Sequence, residues 1–366
     1  MKFNKVIPII SVLLVALMFA GCAKSEDSSK SESSDSSNNK ITVTDDTGNQ
    51  VTLTKNVKLI ADGFPFHPEL LTMLGAGDKV VGTITTPEGL PWLYKINPAL
   101  NKAVKVFTAE DDVNLEELVK QKPDVVFVEG EGKDNKLRSS IMGVDIPVIQ
   151  VSFSNFEDMK KSIKVTGSVL GSEGEKKAEE FVDYFDSKYQ QITTETSKIQ
   201  DSEKPKVLHI TSLDPLIVDG KGTIMDEWIK TAGGINAAEI EGGNKEVSPE
   251  QVLKWNPDVI IIGKVHSNGF TTTVTAENLM KNPKWQQVNA VKNKKVYDNP
   301  MGAFLWDRFG PEEVLQIQWA AKTLHPDKFE NLNISDEVKN FYKTFLNYNL
   351  TDDDVSKILD SEPPTQ

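Results

Sequence analysis

Residues Leu115 to Val128 read LEELVKQKPDVVFV and residues Pro249 to Ile262 read PEQVLKWNPDVIII, one arrangement written twice with 134 positions between Glu116 and Glu250. In each copy a polar residue, Asn114 or Ser248, precedes a short apolar-periodic turn that opens with glutamate; a Pro-Asp pair breaks it and a β-branched run follows. That succession predicts a short helix feeding a buried strand. Asn114 and Ser248 suit the N-cap, Glu117 and Gln251 fall where a capping box places its second member, and Pro249 stands at the first helical position. An αβ unit repeated at this distance reads as two similar lobes, each with its own parallel sheet.

Working outward from the repeats, the amino end carries a basic start (Lys2, Lys5), an apolar stretch from Val6 to Phe19 and the small-small-cysteine site Ala20-Gly21-Cys22. The pattern resembles a bacterial lipoprotein signal over residues 1–21, with Cys22 the lipid-bearing residue and Phe19 in place of the usual leucine. Cys22 is the chain's one cysteine, so no disulfide can form within it. Residues 22–40 follow as a flexible tether, because Ala23 to Lys40 holds eight serines and no Val, Ile, Leu or Phe. The formal charge of −13 becomes −15 once Lys2 and Lys5 leave with the signal, which argues against nucleic acid or an anionic lipid surface as a partner.

Alternation in ITVTDDTGNQVTL, Ile41 to Leu53, predicts a hairpin, and strands with intervening helices then run to Ser152 as an N-terminal lobe over 41–154. From Asn155 the pattern turns helical, interrupted at Gly171 to Gly174, with Phe181, Tyr184, Phe185 and Ile192 on one stripe; residues 155–203 are expected to link the lobes. The strand VLHI opens the C-terminal lobe, 204–366.

The hairpin, the paired LEELVKQKPDVV and PEQVLKWNPDVI units, the long helical link, LIVDGKGTIMDEWIKTAGGINAA and KWQQVNAVKNKKVYDNP together resemble the substrate-binding lipoproteins of ABC importers for iron-siderophore, haem and cobalamin, from Ile41 to about Leu359. The resemblance implies an α/β fold of two Rossmann-like lobes joined by a single long backbone helix, with ligand in the cleft between them and little hinge motion. It implies an extracytoplasmic monomer held at the membrane by a lipid on Cys22, with no cofactor of its own. Its cargo would be a metal chelate, a ferric siderophore or related iron complex first, with haem, cobalamin or a nickel chelate as alternatives. Glu116 and Glu250 match the family's permease-docking glutamates, which meet arginines of the membrane partner. A glutamate in a first helical turn also complements the macrodipole by about 0.3–1 kcal/mol, so the residues alone leave both roles open.

Ligands of open α/β sheets sit beyond the carboxyl ends of the strands. That rule selects Phe64, Phe66, His67, Trp92 and Tyr94 in the first lobe, and His266, Trp306 and Arg308 in the second. Arg308, one of two arginines, offers a planar fork for a carboxylate or anionic chelate, or a structural ion pair. His67 and His266 could complete the coordination of a partly chelated metal, although two lone histidines make no metal motif. His209 and His325 read as structural. The competing class is a surface-anchored metal-dependent hydrolase, for which the chain offers no nucleophile elbow, HExxH pair or phosphate loop.

Overall fold

A computed structural model describes residues 39–108, 112–130, 135–264 and 274–365. The expected hairpin is present: β1 (Lys40–Thr44) and β2 (Gln50–Thr54) pair antiparallel. Its turn closes on Asp45, whose carboxylate accepts from the backbone of Thr47 and Asn49 and from Arg138 Nη1 at 2.8 Å.

The first lobe runs β3 (Ile60–Asp62), α1 (His67–Met73), β4 (Val80–Thr83), α2 (Pro91–Ile96), β5 (Val104–Lys105), α3 (Leu115–Gln121), β6 (Val125–Glu129), α4 (Lys136–Ile141) and β7 (Val148–Val151). Its sheet is all parallel in the order β5-β4-β3-β6-β7, so the winding reverses between β3 and β6. Two helices follow, α5 (Phe156–Leu170) and α6 (Ser172–Thr196). Gly171, at φ 86° and ψ −170°, makes the turn between them in a conformation that favours glycine. The helices run back along each other: Lys160 Nζ lies 2.7 Å from Asp186, and Phe156 packs on Phe185 and Tyr189. Segment 155–203 is therefore mainly a helical hairpin, and α6 is the long connection into the second lobe.

The second lobe comprises β8 (Lys206–Leu213), β9 (Leu216–Val218), α7 (Ile224–Thr231), β10 (Ile235–Asn236), β11 (Lys245–Glu246), α8 (Pro249–Trp255), β12 (Val259–Ile262), α9 (Ala276–Lys281), α10 (Asn289–Lys292) and β13 (Val296–Asp298). Helices α11 (Glu313–Leu324), α12 (Ile334–Phe345) and α13 (Asp352–Leu359) complete the chain. The sheet order is β11-β9-β8-β12-β13, with β10 beside the start of β8. Unlike the all-parallel expectation, this sheet is mixed, because β9 and β11 pair antiparallel. The cause is local: only Asp214 and Pro215 separate β8 from β9, and a parallel return needs a crossover of a dozen residues or more.

Both repeat copies fold alike. Asn114 and Ser248 cap α3 and α8 by accepting from the backbone of Glu117 and Gln251. Glu117 does not complete a capping box; its carboxylate turns along the helix to Gln121 and Lys120. Each helix ends on a left-handed residue, Lys122 or Asn256, and each following aspartate accepts from the strand beside it: Asp124 from Lys58 and Leu59, Asp258 from Lys206. The buried strands alternate between two cores. Val125, Phe127, Val259 and Ile261 enter one large apolar cluster common to both lobes, α5, α6 and the terminal helices, while Val126, Val128, Ile260 and Ile262 face a separate cluster within each lobe. No helix among the described residues is long and apolar enough to cross a membrane.

Candidate functional site

The carboxyl ends of β3, β6, β9 and β12 face one hollow between the lobes, with a volume of about 560 Å³. The first lobe contributes Phe64, Pro65, Phe66 and Glu129, beside the winding reversal; the second contributes Asp219, Gly222 to Met225, Asn244, Lys264, Phe304, Leu305, Arg308 and Phe309. Aromatic rings knit the wall across the lobes. Phe66 meets Phe64 edge-on at 4.4 Å between centroids and lies 6.3 Å from Phe304, while Phe153 stacks on Phe64 and lies 5.3 Å from Phe309.

Two cations stand on the second-lobe wall. Arg308, about a quarter exposed, has Nη2 3.9 Å from Asp219 Oδ2 and Nη1 3.8 Å from Met225 Sδ, so its pairing is loose. Lys264, the second residue past β12, is 6 % exposed. Burial pushes its ammonium below the ordinary lysine range and Asp298 pulls the other way. Asp298 supplies part of the counter-charge a buried ammonium needs, and a negative occupant of the hollow would add to it.

Behind this wall His209 is fully buried between two carboxylates, Nδ1 at 2.8 Å from Asp219 and Nε2 at 2.7 Å from Asp307. Burial lowers the imidazole, but the two carboxylates outweigh it and leave its pKa raised. Asp219, raised by burial and lowered more strongly by His209 and Arg308, titrates at about 2. Beneath the aromatic belt Glu69 is fully buried with neither carboxylate oxygen bonded, and burial together with the charge of Glu312 raises it well above the usual range. Glu312 accepts from Phe304 N, Trp306 Nε1 and Tyr342 Oη, yet burial still holds it at about 7.

Of the residues selected from sequence, Phe64, Phe66 and Arg308 line the hollow. His67 does not; it lies fully buried, bonded to Asp62 at 3.0 Å and to Thr166 at 2.9 Å. Trp92 Nε1 donates to the carbonyl of Glu362, Tyr94 Oη to that of Thr85, and Trp306 Nε1 to Glu312, and none of the three lines the hollow. His266 and Cys22 lie outside the described residues. Glu116 and Glu250 are both exposed in the first turns of α3 and α8. Asp219, Thr223, Asn244 and Lys264 were not anticipated. Lys264 obeys the rule that selected His266 two positions later, and DGKGT before α7 carries a glycine-threonine helix start that marks a backbone approach.

A second hollow of about 570 Å³ lies between the end of α1, α6 and the end of α12; its charged residues, Asp78, Lys177 and Glu180, are exposed or half-buried. No group of histidine, cysteine, aspartate and glutamate able to hold a metal ion occurs among the described residues.

Two α/β lobes joined by long helices, with a walled hollow at their facing strand ends, define a bilobal solute-binding protein. The chain belongs to the periplasmic binding protein family, which it matches over residues 60–301. It is 30% identical over 325 residues to the ABC transporter substrate-binding lipoprotein YvrC of Bacillus subtilis, covering 87% of this chain and 97% of that one. It is 27% identical over 266 residues to the molybdate-binding protein MolA of Haemophilus influenzae, covering 68% and 74%. A crystal structure of a periplasmic solute-binding protein from Veillonella parvula superposes with a TM-score of 0.77 at 27% identity, covering 88% and 97%. The family consists of non-catalytic transport proteins, so this chain is an extracytoplasmic, membrane-anchored carrier of a small solute, not an enzyme.

Proposed function

We propose that the protein captures an anionic metal chelate, a ferric complex first, between its lobes and hands it to an ABC importer. One observation carries the reading: Arg308 and the buried Lys264 stand on the second-lobe wall of a hollow that four phenylalanines, Phe64 and Phe66 from one lobe and Phe304 and Phe309 from the other, also line. Such a site matches a ligand with carboxylate or catecholate edges and an apolar body. Phe64, Phe66, Phe304 and Phe309 bear on the body, and Arg308 and Lys264 hold the charge. A second reading, a bare oxyanion, draws support from the molybdate-binding relative. Against it, a hollow of about 560 Å³ is of the size that takes drug-sized molecules and would stay mostly unfilled around a tetrahedral ion.

Glu116 and Glu250, exposed at matching helix starts, are proposed to meet permease arginines, and a lipid on Cys22 would keep the carrier beside its importer. The test is calorimetric titration with ferric citrate, a neutral ferric hydroxamate, cobalamin and molybdate. Saturable binding of ferric citrate, weakened at least about tenfold in Lys264→Met, supports the reading. Preference for the neutral chelates, or an affinity indifferent to Lys264, overturns it.

A further inference from the structure

His209 reads from sequence as a structural strand residue, yet its surroundings are those of a functional group. A neutral imidazole has one N–H, but both ring nitrogens of His209 stand within 2.8 Å of a carboxylate oxygen. With both acids ionised, only the doubly protonated ring donates to both without setting a lone pair against a carboxylate. The clasp reaches the ligand hollow at two points. Asp219 holds the backbone N–H of Asn244 through Oδ1 at 2.9 Å and lies beside Arg308 through Oδ2. On the other side, a Cβ at Gly263 would fall 2.3 Å from Asp307 Oδ2 and 2.5 Å from His209 Nε2, so the backbone leading into Lys264 rests on the pair.

We propose that His209, held as an imidazolium between Asp219 and Asp307, is a positioning residue of the ligand site that keeps the second-lobe wall from turning anionic. Among these groups the charged ring brings His209, Arg308 and Lys264 level with Asp219, Asp307 and Asp298, the acid beside Lys264; without that proton the wall is anionic. Three further carboxyls face this network or the hollow: Glu313, Glu227 and, from the first lobe, Glu129. Glu313 of α11, close to Asp307, is fully buried and raised well above the ordinary carboxyl range by that burial, and Glu227 of α7, also raised by burial, faces Glu313 with its carboxylate bonded to Phe156 N. Anion affinity is therefore full below the imidazolium's raised value and falls as pH rises through it, and Lys264, lowered by its burial, gives up its charge at a lower pH than an ordinary lysine.

This inference rests on the anionic-cargo reading, and two measurements separate them. Histidine nitrogen-15 NMR of the full chain reads His209 without ligand: both ring nitrogens stay protonated at neutral pH and lose a proton above the ordinary imidazole range. Binding of molybdate and of citrate, followed against pH, falls about tenfold or more with the same midpoint. In Asp307→Asn, which keeps a partner at Nε2 but removes a charge, both midpoints move together to lower pH. His209→Gln abolishes the step and leaves neutral-pH affinity at the wild type's alkaline level. A neutral His209 ring at pH 7, or an affinity profile unmoved in Asp307→Asn, overturns the assignment. An imidazolium present in a wild type that binds neither anion, but does bind a neutral chelate, sinks the cargo reading instead.

Discussion

Asp62 and His209 occupy the same place in the two lobes. Each lies on the strand beside the repeated unit, paired in register with Phe127 and Ile261, themselves 134 positions apart. In the first lobe the strand supplies an acid, Asp62, which finds its histidine, His67, on the following helix; Thr166 of α5 takes the other ring nitrogen, and Asp62 also accepts from the backbone N–H of Phe64 at 3.2 Å. In the second the strand supplies the histidine and two acids close on it, one of which borders the ligand hollow. The polar network thus meets the hollow through the backbone of Phe64 in one half and through a lining carboxylate, Asp219, in the other. What differs is that a second acid closes on His209 where a threonine closes on His67.

The strongest way to break the kinship of the halves is through their repeated glutamates. Charge reversal of both Glu116 and Glu250 to lysine should abolish uptake of chelate by cells while leaving solution affinity unchanged, and each single reversal should cost a similar share. Uptake that survives the double change removes their docking role. Position 263 sharpens the contrast next, since its counterpart in the first lobe is Glu129. Gly263→Ala must displace the His209–Asp307 pair and should destabilise by about 3 kcal/mol in denaturant unfolding, whereas Glu129→Ala, at an exposed side chain, should cost about 1 kcal/mol or less.

Glu69 offers a subtler comparison, because this buried first-lobe acid has no histidine to balance it. Its pKa is raised above that of the unfolded chain, so stability is greatest in acid and falls as pH climbs past the ordinary carboxyl range. Glu69→Met should therefore raise Tm by a few degrees at pH 8 and by much less at pH 4, and a gain of equal size at both would remove the explanation. The smallest effect separates the two helix ends. Lys122→Gly should stabilise by about 0.5–1 kcal/mol by relieving a left-handed lysine, while Asn256→Gly should cost about 1 kcal/mol, because Asn256 Oδ1 accepts from Asn289 N. Thermal unfolding of the pair should give opposite signs.

The repeated helix and strand were legible because period and caps are local signals, and both copies carry them in full. Phe64, Phe66 and Arg308 were legible because chain order places the loops after strands at the mouth of such sheets. Trp92 and Trp306 were not separable from them in the same way. An aromatic in a post-strand loop reads alike whether it faces ligand or core, and only its indole N–H partner, the Glu362 carbonyl or Glu312, decides. The clasp on His209 joins residues 10 and 98 positions away, so nothing near it in the chain announces it. The mixed second sheet follows from a two-residue turn that a strand pattern alone does not interpret.

The closing helices return to the beginning of the fold. Lys95 pairs with Asp354 at 3.0 Å, Trp92 donates to Glu362, and Phe341, Tyr342 and Ile358 share a core with Leu70 and Leu93. The amino-terminal half consequently has no finished interior until the last thirty or so residues have emerged from the ribosome. Contacts of such long sequence separation form late. A polypeptide bound for the far side of a membrane gains from that delay, since it reaches the export channel still pliable and locks only after passage.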